Sequence, residues 1–370
     1  MAIPDSWRGL ETPAALVDVD RMEKNLRDTV AYCRTWGLSY RPHAKTHKSA
    51  EVAKEQLRQG AIGLTVATVE EAIAISRVAD DLLLAYPYFG PGKLARILSF
   101  PDRVRLTFGL DSSEALRGLS IAAARRGRTV GVLVEADVGL KRVGIHDVEA
   151  LVRLAEEACR TEHIRYRGLL LYPGHVRLPP PGRDRAIRPL ADRIGTLTRA
   201  LTDAGFPPEV VSGGSTPTLF QSHQMGGVTE VRPGTGIFHD RTSALLEACA
   251  WTDCAYSVST TVVSRTIPGQ VVVDAGSKAL GKETVNGRFS DPSVADGFGC
   301  VLDRPDLRVT ALSEEHGVID TSDSGWRPKV GEVVRVVPNH VCVSVNLTGR
   351  LWQVREDEVL GSWEVEASRR

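Results

Sequence analysis

Residues 41–48 read RPHAKTHK, two histidines set around one lysine with a second lysine closing the run. A lysine amine becomes a nucleophile towards a carbonyl carbon when burial or neighbouring cations depress its pKa. Lys45 is the candidate for that role, with Arg41, His43, His47 and Lys48 as the positive surround. On spacing alone, the same run also suits a solvated basic loop in which Lys45 reaches to water. Two glycine turns bear on the choice. SGGSTPT (212–218) brings Gly213 and Gly214, which let backbone amides approach an anion closely, together with the hydroxyls of Ser215 and Thr216. RPGTG (232–236) adds Gly234 and Thr235. A capturing amine with two anion-accepting turns fits a phosphate-bearing carbonyl compound, and pyridoxal 5′-phosphate (PLP) has that chemistry. A third stretch, NHVCVS (339–344), sets His340 and Cys342 two residues apart. On a strand both would point to one face, and imidazole with thiolate suits zinc better than magnesium. A cysteine packed as a small core hydrophobe is the alternative.

The elements that would position these residues follow from periodicity. Strand-like runs at 14–20, 38–45, 62–68, 81–88, 104–110, 130–138, 166–172 and 209–215 alternate with amphipathic helical patterns such as DVEALVRLAEEACRTEH. Eight such units predict a (β/α)8 barrel of the TIM type, with Lys45 at the C-terminal end of the second run, where barrels build active sites. An open doubly wound sheet is the alternative, but VDVDRMEKN after the first run is not the glycine turn that such a sheet uses. Beyond residue 245, Val-, Ser- and Thr-rich runs punctuated by Pro-Gly predict an antiparallel β domain. The expected organisation is a barrel over 1–245 and a β domain over 246–370 carrying the His340–Cys342 strand, with the first strand a candidate to pack with the second domain instead. RLPPPGRDR (177–185) reads as a rigid surface loop or a lid at the barrel rim.

Lysine plus arginine and aspartate plus glutamate number 46 each, a balance that favours neither nucleic acid nor an anionic membrane as partner. No apolar run has the length of a membrane span, and no signal peptide is visible. Six scattered cysteines suit reduced thiols in a cytoplasm, the expected location.

TPAALVDVD, RPHAKTHKS, VEADVGLKRVGI, SGGSTPT, VVVDAGSKAL, EEHGVI and PNHVCVSVNL occur in that order across nearly the whole chain. Together they resemble the D-serine dehydratase and D-threonine aldolase family, PLP enzymes of the alanine-racemase-like fold. The resemblance implies a PLP barrel with a C-terminal β domain, paired in a homodimer whose active sites lie near the interface. Lys45 would carry the cofactor. Arg142 would face the pyridine nitrogen and Tyr172 would lie beside the ring. Gly213, Gly214, Ser215, Gly234 and Thr235 would receive the phosphate, with His43 and Thr216 completing the cofactor set. An arginine facing the pyridine nitrogen keeps that nitrogen unprotonated and the cofactor a weaker electron sink, so a metal on His340 and Cys342 would have to assist. Zinc is the expected ion, with manganese or magnesium as alternatives.

The reaction so implied is that of a PLP- and metal-dependent lyase of D-3-hydroxy amino acids. The His-x-Cys pair looks like the dehydratase version, which eliminates water to give a 2-keto acid and ammonia. Retro-aldol cleavage to glycine and an aldehyde is the alternative, followed by racemisation and by a non-catalytic PLP carrier. The chain also departs from the family: Gly236 follows the GT turn where an aromatic residue is common, and Pro173 follows Tyr172. His175 is therefore a candidate substrate residue, as is His316 in EEHG, which suits a backbone-bonded loop histidine equally well.

Overall fold

Strands covered on both faces read as unbroken apolar runs, and Val130–Ala136 is buried along its whole length. The computed structural model describes residues 9–285, 287–356 and 358–368. Its N-terminal strand, β1 (Ala14–Asp18), is followed by eight parallel strands. These are β2 (Ser39–Tyr40), β3 (Leu64–Val66), β4 (Asp81–Leu84), β5 (Arg105–Leu110), β6 (Val130–Ala136), β7 (Ile164–Leu171), β8 (Val210–Gly213) and β9 (Glu230–Val231). They pair in the order β2-β9-β8-β7-β6-β5-β4-β3. The curled sheet meets itself where His43 bridges Thr65 in parallel register and the Thr65 N–H donates to the Pro42 carbonyl at 2.8 Å. Helices cover the outside. Val148–Arg160 starts at Asp147, whose carboxylate accepts the Ala150 N–H, and buries Leu151, Leu154, Ala155 and Ala158 against the strands. Each leucine so buried contributes about 1.5–3 kcal/mol.

The second sheet holds β1 together with β10 (Tyr256–Ser264), β11 (Gln270–Val273), β12 (Gly299–Val301), β13 (Arg304–Leu312), β14 (Gly317–Asp320), β15 (Val333–Pro338), β16 (Arg350–Arg355) and β17 (Glu358–Glu364). β10 pairs with β15 through Val258–Thr261 and, past an irregularity, with β11 through Val262 and Ser264. This double pairing closes β10, β11, β14, β13, β12 and β15 into an antiparallel barrel. On its flank, β1 lies antiparallel to β10 and parallel to β16. The core of this half takes Val17 from β1, Ile237 and Phe238 from the segment leaving the parallel sheet, and Tyr256, Val336 and Val341.

Four expectations change. The eighth strand of the barrel is the two-residue β9, too short for periodicity to reveal, while the first strand-like run joins the second sheet, as its stated alternative had it. The second run yields only Ser39–Tyr40, because Pro42 has no N–H with which to continue a ladder. The PPPG run is not loop throughout: from Gly182 it enters a helix that continues to Asp203. Finally, His340 and Cys342 are not on a strand. β15 ends at Pro338, His340 caps a helix over Val341–Asn346, and Cys342 lies in its first turn. Asn339 forces the change of direction: its side-chain amide donates to the carbonyls of Glu283 and Gly297, and its own carbonyl accepts from Thr242. Among the described residues no helix is long and apolar enough to cross a membrane.

Candidate active site

The C-terminal ends of the parallel strands open into a cavity of about 450 Å³, roofed by the start of the Val341–Asn346 helix. Lys45 enters it from a single 3-10 turn, Ala44–Thr46, held by the His43 Nδ1, which accepts the Lys45 N–H at 3.3 Å. Its ammonium lies 6.0 Å from the centre of the Tyr172 ring. The expected positive surround is absent. Arg41 is buried in ion pairs with Asp81 (2.6 Å) and Glu230 (2.7 Å), and Lys48 bonds Asn346 and pairs with Glu71. Burial holds His47 neutral, its pKa lowered to about 4. Burial, then the charges of Lys45 and Arg232, push His43 well below the usual histidine range. Of the four, only His43 lines the cavity with Lys45.

The cations that do face this space are Arg142, Arg177 and Arg232. Arg232, at the end of β9, is buried and donates to the Ser212 hydroxyl at 2.7 Å and the Leu171 carbonyl at 2.9 Å. Ser212 in turn donates to Glu230, which Arg41 also holds. Arg142 is exposed at the rim, 5.1 Å from the centre of the Tyr172 ring. The Tyr172 ring lies against residue 174, which has to be glycine there: a Cβ would come within 2.3 Å of the ring. Glu135 is a buried carboxyl on β6; burial pushes its pKa up against the pull of Arg232. An acid inside VGVLVEA was the signal that sequence reasoning passed over.

The glycine turns meet at the same place. Gly214 adopts φ +80°, a conformation that favours glycine. A Cβ on Gly234 would stand 2.8 Å from the Thr46 hydroxyl, so its bare backbone is what lets this turn lie against the Lys45 turn. Gly214, Ser215, Thr216, Gly234 and Thr235 all line the cavity. Gly213 does not; it sits in β8 where a side chain would strike Leu171. A phosphate cradle of glycine backbone and hydroxyls beside a lysine fits PLP.

Across the cavity, Asp240 accepts from His340 Nδ1 at 3.1 Å and from the Val341 N–H at 3.1 Å, and through its other oxygen from the Ser243 N–H and hydroxyl. A carboxylate on Nδ1 fixes the ring and leaves Nε2 for a ligand. Nothing in GTGIFHD marked Asp240 in advance. Cys342 Sγ is 3.2 Å from the Thr46 hydroxyl, next to Lys45. The thiolate charge of Cys342 raises His340 well above the usual imidazole range. Burial would push the Cys342 thiol up, but His340, with help from Lys45 and Thr46, brings it down to about 7. This pair supplies nitrogen and sulfur donors of the kind zinc takes. No cluster of three or more His, Cys, Asp or Glu side chains suited to an ion forms among the described residues.

His175 and His316 are exposed and do not line the cavity. The His175 ring packs over Gly139, and His316 stands in the turn between β13 and β14. His223, half-buried and away from the cavity, stacks on Trp36 and bonds the Tyr32 hydroxyl at 2.8 Å.

Residues 17–242 match the family model for the alanine racemase N-terminal domain, and residues 255–354 match that for a putative serine dehydratase domain. The chain belongs to the alanine-racemase-like, fold-type III family of PLP-dependent enzymes, in the lyase branch that carries the serine dehydratase domain. Among its relatives, D-threo-3-hydroxyaspartate dehydratase of Delftia sp. (strain HT23) is 31% identical over 382 residues, 97% of this chain and 98% of that protein. The crystal structure of D-threonine aldolase from Filomicrobium marinum superposes with a TM-score of 0.89 at 29% identity, covering 100% of this chain and 97% of the other. A cysteine-to-alanine variant of D-threo-3-hydroxyaspartate dehydratase, solved in the metal-free form, gives 0.85 at 30% identity over 97% of this chain and 98% of that one.

Proposed function

We propose that this chain is a PLP- and divalent-metal-dependent lyase of D-3-hydroxy amino acids that eliminates water, giving a 2-keto acid and ammonia; D-serine would give pyruvate. One observation carries the reading: the Cys342 thiol touches Thr46, the neighbour of Lys45, at 3.2 Å, so an amine and a soft-metal ligand pair face one cavity. When bound, PLP supplies the carbonyl that captures amines and the sink for an electron pair at Cα, and zinc, or alternatively manganese or magnesium, supplies Lewis acidity at the β-hydroxyl.

The chain's residues do the rest. Lys45 would carry the cofactor and, as a free amine in the cavity, is the group placed to take the proton from Cα. Gly214, Ser215, Thr216, Gly234 and Thr235 receive the phosphate, with Gly213 shaping the turn behind them. His43 is neutral and orients the Lys45 turn. Tyr172 flanks the ring. Arg142 is the arginine proposed for the pyridine nitrogen on the family pattern, and Arg232 adds a fixed cation in the floor. His340 and Cys342 hold the ion, with Asp240 setting the imidazole. The metal-free cysteine variant of the related dehydratase supports that ligand role. A homodimer is proposed on the resemblance alone. His175 and His316, outside the cavity, take no part.

Retro-aldol cleavage is the second reading, favoured by the likeness to D-threonine aldolase. Incubation with D-threonine separates the two: 2-ketobutyrate and ammonia are expected, and acetaldehyde with glycine would overturn elimination. Chelator should abolish either outcome. Borohydride reduction followed by peptide mapping should tag Lys45; a tag elsewhere, or none, removes the basis of the proposal.

A further inference from the structure

The reading above provides for a substrate's amine, through the cofactor on Lys45, and for its β-hydroxyl, through the ion on His340 and Cys342. It names no group for the α-carboxylate that every amino acid brings. Few cations in the cavity are free to take it. Lys45 carries the cofactor, and Arg142 is proposed for the pyridine nitrogen. Arg232 lies in the floor with its two terminal nitrogens donating to Ser212 and Leu171. His43 is neutral. Arg177 remains, and it also lines the cavity.

Arg177 stands on the loop that leads from Tyr172 to the Gly182–Asp203 helix. Its side chain makes one protein hydrogen bond, from Nε to the Gly174 carbonyl at 3.1 Å. Its terminal guanidinium nitrogens have no protein partner among the described residues, although the side chain is half-buried in the cavity wall. Neither cavity carboxyl is available to them. Both oxygens of Asp240 are taken by His340, Val341 and Ser243, and Glu135 is buried on β6 in the field of Arg232. The backbone under Arg177 is fixed from both halves of the molecule: its N–H donates to the His175 carbonyl at 3.0 Å, and its carbonyl accepts the Arg288 N–H at 3.0 Å. A guanidinium with its base held and its two-pronged end unpaired matches the geometry of one carboxylate.

We infer that Arg177 receives the α-carboxylate of the substrate. The inference rests on the lyase reading above and adds a binding residue to it. It also bears on orientation. Cα carries an amine, a carboxylate, the β-carbon and a hydrogen. Fixing the first three leaves the hydrogen one direction, so a carboxylate seated on Arg177 sets how Cα–H meets Lys45.

The test uses the full chain loaded with PLP and zinc. D-Alanine and D-alaninamide have the same shape and no β-hydroxyl to lose, and differ in the carboxylate charge. Their binding is followed by the change in the visible absorbance of the cofactor. Wild type should bind D-alanine at least about 100-fold more tightly than the amide, because a site built to pair a group discriminates strongly against an analogue that lacks it. In Arg177→Met that preference should fall to within about 3-fold of unity, with PLP and zinc content unchanged, and kcat/KM for D-serine should fall about 100-fold, in kcat as well as KM. Arg177→Lys, which keeps the charge and loses the fork, should lie between. Equal affinities in wild type, or an undiminished preference in Arg177→Met, overturn the inference. A measurement on wild type alone decides if the variants fail to fold: phenylglyoxal should modify Arg177, as mapped by peptide mass, and saturating D-alanine should slow that modification at least 10-fold where saturating D-alaninamide does not. Modification of Arg177 at one rate with and without D-alanine overturns the inference. Protection by D-alanine with no turnover of any D-3-hydroxy amino acid would uphold the carboxylate site and overturn the lyase reading, so the two failures are distinguishable.

Discussion

Replacing Asp240 with asparagine keeps the shape of a side chain that touches no proposed cofactor position and changes only what it can accept. Four donors converge on the carboxylate: His340 Nδ1, the Val341 N–H, and the Ser243 N–H and hydroxyl, at 2.7–3.1 Å. An amide offers one oxygen and one NH2 group. If the oxygen stays with Ser243, the NH2 confronts His340 and the Val341 N–H; if it flips, the Ser243 N–H is stranded and its hydroxyl must turn. Either way at least one or two buried donors lose their acceptor, at about 1–3 kcal/mol each. The variant should therefore lose on the order of 2–5 kcal/mol of unfolding free energy in urea. The imidazole also loses the partner that fixes its orientation, and outer partners of this kind are worth about 10–100-fold in metal affinity. Zinc affinity measured by chelator competition on the folded PLP-loaded protein should fall by that factor. If zinc affinity in Asp240→Asn equals that of the wild type, His340 is not a metal ligand oriented by Asp240 and the roof of the site has been misread.

Gly234→Ala puts a methyl 2.8 Å from the Thr46 hydroxyl and 3.3 Å from His43, so the two turns must part; PLP affinity by fluorescence titration should weaken about 10-fold or more, with secondary structure by circular dichroism unchanged. Cys342→Asp should keep metal binding and move the D-threonine product towards acetaldehyde and glycine; an unchanged product removes Cys342 as the reason for elimination. Buried His47 and His239 are each lowered from 6.5 to about 4, so the unfolded chain binds more protons between those values. Stability is therefore intact above pH 6.5 and falls as pH drops towards 4, by about 3 kcal/mol per histidine. His239 sits at φ +54°, which asparagine tolerates, and its Nδ1 has no hydrogen bond; His239→Asn should remove one histidine's share of the slope that His43, His47 and His239 produce together, read in urea titrations at pH 4–7.

What the sequence disclosed followed the strength of its local signals. The long apolar strands of the barrel are visible because both faces are covered, and the motifs around Lys45, Gly214 and Gly234, each ambiguous by itself, are legible because they occur together and in order along one chain. Three things were hidden for physical reasons. β9 is two residues long, below any period, yet it carries Arg232 into the floor. The His340–Cys342 pair looked like a strand because Val-rich sequence precedes and follows it; tertiary hydrogen bonds from Asn339 override that preference and start a helix. The basic run around Lys45 looked like one electrostatic unit, but Arg41 and Lys48 pair away from the cavity and the two histidines are neutral. Composition counts charges and cannot tell where each side chain is paired. Asp240 and Arg177 stand in loops whose sequence carries no period, and only the fold brings them to the cavity.

β1 is made first but finds its neighbours, β10 and β16, some 240 and 330 residues further along the chain. During synthesis it must wait, attached to the start of the Val19–Thr35 helix, until almost the entire polypeptide has emerged. A fragment cut at residue 245 would leave this apolar segment with both hydrogen-bonding edges bare, an invitation to pair with another copy. The barrel half should accordingly be insoluble by itself and recoverable only when the C-terminal half is supplied alongside it.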